Sequence, residues 1–149
     1  MDSHSIRASF LNFFKERGHT VKEPSSLIPE DDPTLLFTGA GMNQFKKEFL
    51  GIGEKTLKRA ATCQKCFRTS DIDTIGKSSL HHTFFEMLGN FSFGDYFKKE
   101  AILWAWQFVR EVFRLSEKSL WISIYVEDEE SFRIWRDEVG VQGNRIVRL

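Results

Sequence analysis

Cysteine, proline and net charge are all scarce in this chain. Two cysteines and three prolines occur in 149 residues. Two cysteines are too few for a disulfide scaffold. The 21 basic and 21 acidic residues leave a formal net charge of zero. There is therefore no overall basic field of the kind that holds nucleic acid non-specifically. No apolar run approaches the roughly 20 residues that span a bilayer. The short run Phe10-Leu11-Asn12-Phe13-Phe14 lies between Arg7 and Lys15-Glu16-Arg17, which is not the form of a signal peptide. The expected compartment is the cytoplasm, with no membrane partner. Phosphate-binding loops of the G-x-x-x-x-G-K-[ST] and G-x-G-x-x-G kinds are missing, and Gly39-Ala40-Gly41 is too short to count as either. No Ser/His/Asp set is singled out by spacing. Internal repeats, low-complexity tracts and long linkers are absent too.

What is present is a globular composition, 41% hydrophobic and 28% charged, long enough for one domain with a core. Fifteen Phe and four Trp imply a core built from large rings, or a pocket lined by them. Lys46, Lys47, Lys55, Lys58, Arg59, Lys65 and Arg68 form a local basic cluster with few acids nearby. A solvated face and a patch for an anionic partner both remain open for it.

Ile6, Phe10, Phe13 and Phe14 follow helical spacing, and Gly18 supplies a stop. The Pro- and acid-rich stretches Glu23 to Ser26 and Pro29 to Pro33 punctuate two short extended pieces. The second, Thr34 to Thr38, reads as a buried strand between Pro33 and Gly39. Gly39 to Gly41 reads as a tight turn, and Met42 to Leu50 as a short helix ended by Gly51. Two longer strands follow, roughly Arg59–Arg68 and His81–Phe93, joined by the polar loop Thr69–Ser79. Gly94-Asp95 breaks the second strand and caps a helix whose two apolar stripes predict that it is buried. Leu120–Val126 reads as a strand and Asp128–Val139 as a helix; another strand begins at Ile146. The class is α+β, an antiparallel β-sheet flanked by helices.

Side chains alternate faces along a strand, so Gln64, Cys66 and Arg68 share one face, and His82, Phe84 and Glu86 share one on the partner. If those faces coincide, a guanidinium, an imidazole and a ring lie on one floor. That set suits a nucleotide: arginine on a phosphate, histidine donating to another oxygen, phenylalanine stacked on a purine. A salt-bridged structural surface fits the same spacing. Cys63-x-x-Cys66 with His81-His82 invites a zinc site. Residues three apart on a strand point to opposite faces, however, and Gln64-Lys65 is not turn chemistry. No metal ligand is assigned.

The stretches DPTLLFTGAGMNQF (Asp32–Phe45), TCQKCFR (Thr62–Arg68) and HHTFFEMLGNFSFGDYF (His81–Phe97), with the opening RASFLNFFKERGH (Arg7–His19), resemble signature stretches of the alanyl-tRNA synthetases. The resemblance covers nearly the whole chain, most strongly residues 6–100. It implies the class II catalytic core, incomplete here: residues 1–149 hold the N-terminal part of the aminoacylation domain with motifs 1 and 2 only. The implied activity is an ATP-dependent, AMP-forming alanine–tRNA ligase. The implied partners are ATP, L-alanine and tRNA(Ala), with Mg²⁺ accompanying the nucleotide and a homo-oligomer as one possible state.

By resemblance, Arg68 is the motif 2 arginine that binds the α-phosphate of ATP and the carboxylate being activated. His82 matches a histidine that contacts ATP. Phe84 takes the place of the ring stacked on adenine, with Phe85 as the alternative. Met42 matches a methionine lining the alanine pocket. Gly39 departs from the family, where most members have Asn, and the loop Thr69–Ser79 is of a shorter variant. Against the family pattern, residues 1–149 lack motif 3, the tRNA-recognition helices and the editing region, the one place where zinc is expected, so the resemblance implies a fragment of a longer enzyme. The isolated chain is expected to be weakly active or inactive. The rival reading is a non-catalytic class II scaffold or binding module.

Overall fold

Phe10, Phe13 and Phe14 turn one apolar face of the first helix, α1 (Ser3–Lys15), into the protein. Asp2 caps it by accepting from the Ser5 N–H at 2.7 Å. Gly18, at φ 81°, ends the turn in a conformation that disfavours side chains. Phe14 packs against both other rings, tilted on Phe10 with centroids 4.8 Å apart and edge-on to Phe13 at 5.2 Å. The computed structural model describes residues 1–29, 32–70 and 72–149.

A short strand, β1 (Thr20–Val21), pairs in parallel with β2 (Arg59–Phe67). β2 pairs antiparallel with β3 (Phe84–Ser92), giving the order β1-β2-β3. Between β1 and β2, a 3₁₀ turn at Asn43–Phe45 leads into α2 (Lys46–Phe49). Gly51 closes it at φ 73°. Phe45, Leu57 and Ala60 form the core here, with Phe91 and Phe93 packed against them. Burying one such phenylalanine contributes about 1.5–3 kcal/mol.

The chain divides into two compact units, Met1–Asp95 and Tyr96–Leu149. The second unit contains α3 (Lys98–Gln107), β4 (Ile122–Ile124), α4 (Glu129–Arg133) and β5 (Ile146–Arg148). π-helical turns extend α3 and α4, at Phe108–Val112 and Ile134–Glu138. β4 and β5 pair in parallel. Ile124, Val141 and Ile146 form the core of this unit, with Trp106, Phe132 and Trp135 against it. Asp128 caps α4 through the Ser131 N–H at 3.1 Å.

The α+β class stands, with mixed rather than purely antiparallel sheets. Three expectations need correction. Thr34–Thr38 is turn and bend, not strand, because the Asp32 carboxylate accepts from both the Thr34 N–H and its hydroxyl, drawing the chain into a local turn. Of the Pro29–Pro33 stretch, Glu30 and Asp31 lie outside the described residues, as does Asp71 in the Thr69–Ser79 loop. Asp95 does not cap α3; Phe97 occupies that position without a side-chain bond, and the Asp95 carboxylate is engaged by Arg59. Finally, the helix is only partly buried: no residue between Lys98 and Gln107 is fully buried, while Phe108, in its π-helical extension, is. Helical periodicity shows where apolar faces lie, whereas burial depends on what packs over them.

Candidate functional site

The β2–β3 register decides which side chains share a surface. Cys66 lies opposite Phe85, Gln64 opposite Met87 and Phe67 opposite Phe84. Beyond the ladder, the Arg68 N–H donates to the Thr83 carbonyl at 2.8 Å. Directly opposed residues point to the same side of a sheet. One face therefore carries Thr62, Gln64, Cys66 and Arg68 with Phe85, Met87 and Phe91. The other carries Cys63, Lys65 and Phe67 with Phe84, Glu86 and Leu88. On this second face, Arg7 of α1 pairs with Glu86 at 2.6 Å.

The expected common floor for Arg68, His82 and Phe84 is thus corrected. Phe84 is 54% exposed but on the opposite face from Arg68. Its neighbour Phe85 is on the Arg68 face, with Arg68 Cζ 5.2 Å from the ring centroid, within cation–π range. His82 is exposed and precedes β3, next to the Thr83 that holds the Arg68 backbone.

Arg68 is itself exposed. Its Nε–H donates to the Gly39 carbonyl at 2.9 Å. That bond fixes the guanidinium plane, so the remaining N–H fork is presented as a unit, the geometry that suits phosphate or carboxylate. Among the described residues, no carboxylate lies within ion-pair distance of Arg68.

The Gly39–Gly41 turn lies against the same face. The Gly41 N–H points to the Met87 sulfur at 3.2 Å. A Cβ on Gly41 would sit 3.4 Å from Phe91 Cζ and 3.7 Å from Gln64 Cβ, in ordinary van der Waals contact with that face. Met42 follows directly and is 50% exposed. At Gly39 a Cβ would meet nothing nearer than Arg68 Cγ at 3.8 Å. A Cβ is therefore sterically allowed at this position.

A model of the family described as tRNA synthetases class II (A) matches residues 5–149. The chain belongs to this family. Its sequence is 57% identical over all 149 residues to the alanine–tRNA ligase of Pseudothermotoga lettingae, and 57% identical to that of Thermotoga maritima. With the alanine–tRNA ligase of Methylibium petroleiphilum it is 52% identical. The chain spans about 17% of the length of the first two relatives and 18% of the third.

Elsewhere in this class II synthetase segment, two members of the basic cluster are paired: Lys46 with Asp32 at 2.8 Å, and Arg59 with Asp95. The Lys46 ammonium, with the Thr34 hydroxyl and N–H, holds the Asp32 carboxyl at about 2. A cleft of about 340 Å³ is lined by Ser25, Thr38, Asn43, Gln44, Lys46 and Lys47, among others. Arg68 is not part of that lining. Cys63 and Cys66 lie on opposite faces of β2, opposite Leu88 and Phe85. Burial pushes both thiols up from their ordinary value, so neither is activated as a thiolate. No helix among the described residues is long and apolar enough to cross a membrane.

Sequence reasoning missed the Gly39 carbonyl and left Phe84 and Phe85 both open. A backbone carbonyl has no residue-type signature. The choice between the two rings depends on register, which a one-residue slip inverts.

Proposed function

We propose that this chain is the N-terminal part of the aminoacylation domain of an alanine–tRNA ligase. The observation that carries this reading is the exposed Arg68 guanidinium, tied by Nε to Gly39 and set over Phe85. The 57% identity to ligases of that name supports the substrate assignment.

In this reading the alanine carboxylate attacks the α-phosphorus of ATP in line, forming alanyl-adenylate and releasing pyrophosphate. The terminal ribose of tRNA(Ala) then takes the alanyl group and AMP leaves. Little covalent work falls to the protein; holding the two anions together and stabilising shifting charge do most of it. Arg68 bridges the α-phosphate and the alanine carboxylate. Phe85, on the same face, stacks on adenine, displacing Phe84 from that role. His82 donates to a phosphate oxygen from the chain entering β3, and Met42 lines the alanine pocket.

Mg²⁺ accompanies the nucleotide. Among the described residues no cluster of three His, Cys, Asp or Glu is placed to hold an ion, so no step is assigned to a metal on this chain. The test is alanine-dependent ATP–pyrophosphate exchange in the full-length protein carrying this chain. Arg68→Ala is expected to lower the rate by about 10²–10³, the effect of losing one preorganised donor to a developing charge. A near-normal rate removes Arg68 from the mechanism. Absence of exchange in the unsubstituted protein favours a scaffold instead.

A further inference from the structure

Gln64 is wholly buried, with 0% of its surface exposed, yet it is a polar residue in the middle of β2. Its amide is bonded to two segments far away in sequence and to the carbonyl of its own neighbour. Nε2 donates to the Ser25 carbonyl at 2.9 Å and to the Lys65 carbonyl at 2.8 Å. Oε1 accepts from the Ser25 N–H at 2.8 Å, the Ser25 hydroxyl at 3.1 Å and the Gln44 amide at 3.2 Å. The pair of hydrogen bonds to the Ser25 backbone, one donated and one accepted, copies what two backbones exchange in a sheet ladder. A buried amide satisfied this fully is stiff, because any displacement leaves a desolvated polar group unpaired.

Both segments it grips converge on Gly39. From Ser25, the chain continues to Ser26 and Leu27, whose carbonyls accept the Thr38 hydroxyl at 2.7 Å and the Thr38 N–H at 2.8 Å. The Thr38 carbonyl accepts the Phe67 N–H at 2.9 Å, and Gly39 is the next residue. From the other side, Gln44 ends the stretch that begins at Gly39. Gly41, within it, points its N–H at the Met87 sulfur, and a Cβ built on it would reach Gln64 Cβ at 3.7 Å. The Gly39 carbonyl that holds Arg68 is thus supported from both directions by one buried amide, on β2 four residues before Arg68.

We propose that Gln64 is a positioning residue: its amide fixes the Gly39 carbonyl and, through it, the orientation of the Arg68 guanidinium toward the α-phosphate. The proposal rests on the activity proposed above. Gln64 touches no substrate; it acts through Arg68. Glutamate in its place keeps the acceptor but meets the Ser25 carbonyl with a second acceptor. Methionine keeps the volume and loses every bond.

The experiment is alanine-dependent ATP–pyrophosphate exchange in the full-length protein, with rates expressed per active site titrated by stoichiometric adenylate formation. Gln64→Met, Gln64→Glu and, on the half-buried partner, Gln44→Leu are compared with the unsubstituted protein and in an Arg68→Ala background. The expected result is a fall in kcat per titrated site of about tenfold or more for the Gln64 variants, since small misplacements of a positioned group are this costly. The fall is smaller for Gln44→Leu, and KM for ATP changes little. In the Arg68→Ala background the same substitutions lower the residual rate no further, because their route runs through the missing guanidinium. A merely structural role lowers the number of titratable sites and leaves the rate per site alone; that result, in Gln64→Met or in the milder Gln44→Leu, overturns the proposal. An equal loss with and without Arg68 overturns it too. No exchange in the unsubstituted protein instead overturns the proposed activity itself, and this role with it.

Discussion

Arg68 Cζ lies 5.2 Å from the centre of the Phe85 ring, while Phe84, one residue earlier, pairs with Phe67 on the far side of the sheet. Adjacent phenylalanines thus have unrelated surroundings. Only one of them shares a surface with the cation proposed to bind the nucleotide.

That difference separates two variants. Phe85→Ala removes the ring from the Arg68 face and is expected to raise KM for ATP about tenfold or more, given that stacking on a base contributes about 1–3 kcal/mol. Phe84→Ala, on the other face, is expected to leave KM for ATP within about twofold. Exchange kinetics at varied ATP concentration read both. The opposite ranking would return the stacking role to Phe84.

Gly89 is expected to resist substitution for a steric reason. A Cβ there would sit 2.5 Å from Phe91 Cζ and 2.7 Å from Cε2. The Phe91 ring is not at liberty to swing away, since it packs on Phe45 with centroids 4.9 Å apart. Gly89→Ala should destabilise the first unit by about 1–3 kcal/mol, as overpacked cores do. Gly39→Ala, where the nearest atom is 3.8 Å away, should shift stability by less than about 0.5 kcal/mol. Urea unfolding of the two variants makes the comparison.

His19 should make stability pH-dependent. It is 3% exposed, in contact with the Phe14 ring, and its Nδ1 lies 3.0 Å from the Phe14 carbonyl. Burial lowers it below its ordinary value of 6.5, and the Arg59 guanidinium adds to this against the Phe14 carbonyl. With the folded value below the unfolded one, the unfolded chain binds the proton first as pH falls. Stability is therefore complete above about 6.5 and declines as pH drops through that value toward the folded one. Asp32 and Asp128, both held at about 2, lose their contribution only in a lower window, below the ordinary carboxylate range. Thermal melts between about pH 7.5 and 5 should show the decline, and His19→Gln should flatten it. An unchanged slope in that variant assigns the decline to another group.

Much of this protein was legible in its residues alone. Phenylalanine spacing and Gly18 defined α1, uninterrupted β-forming runs defined β2 and β3, and Asp128 marked the start of α4. These features depend on neighbours in sequence, through periodicity and capping, which one chain segment contains in full. The expected strand Arg59–Arg68 was legible for the same reason, though β2 ends at Phe67 and Arg68 lies one residue past it. The Arg68–Phe85 pairing, the Gly39 support and the role of Gln64 as a buried tie were not. Alternation sets which residues within one strand share a face, but the match between strands is settled only when the loop from 69 to 83 closes and one register buries more than its rival. The same competition turned Thr34–Thr38 away from a strand, because a carboxylate two residues upstream offered the backbone a better local partner than any ladder could.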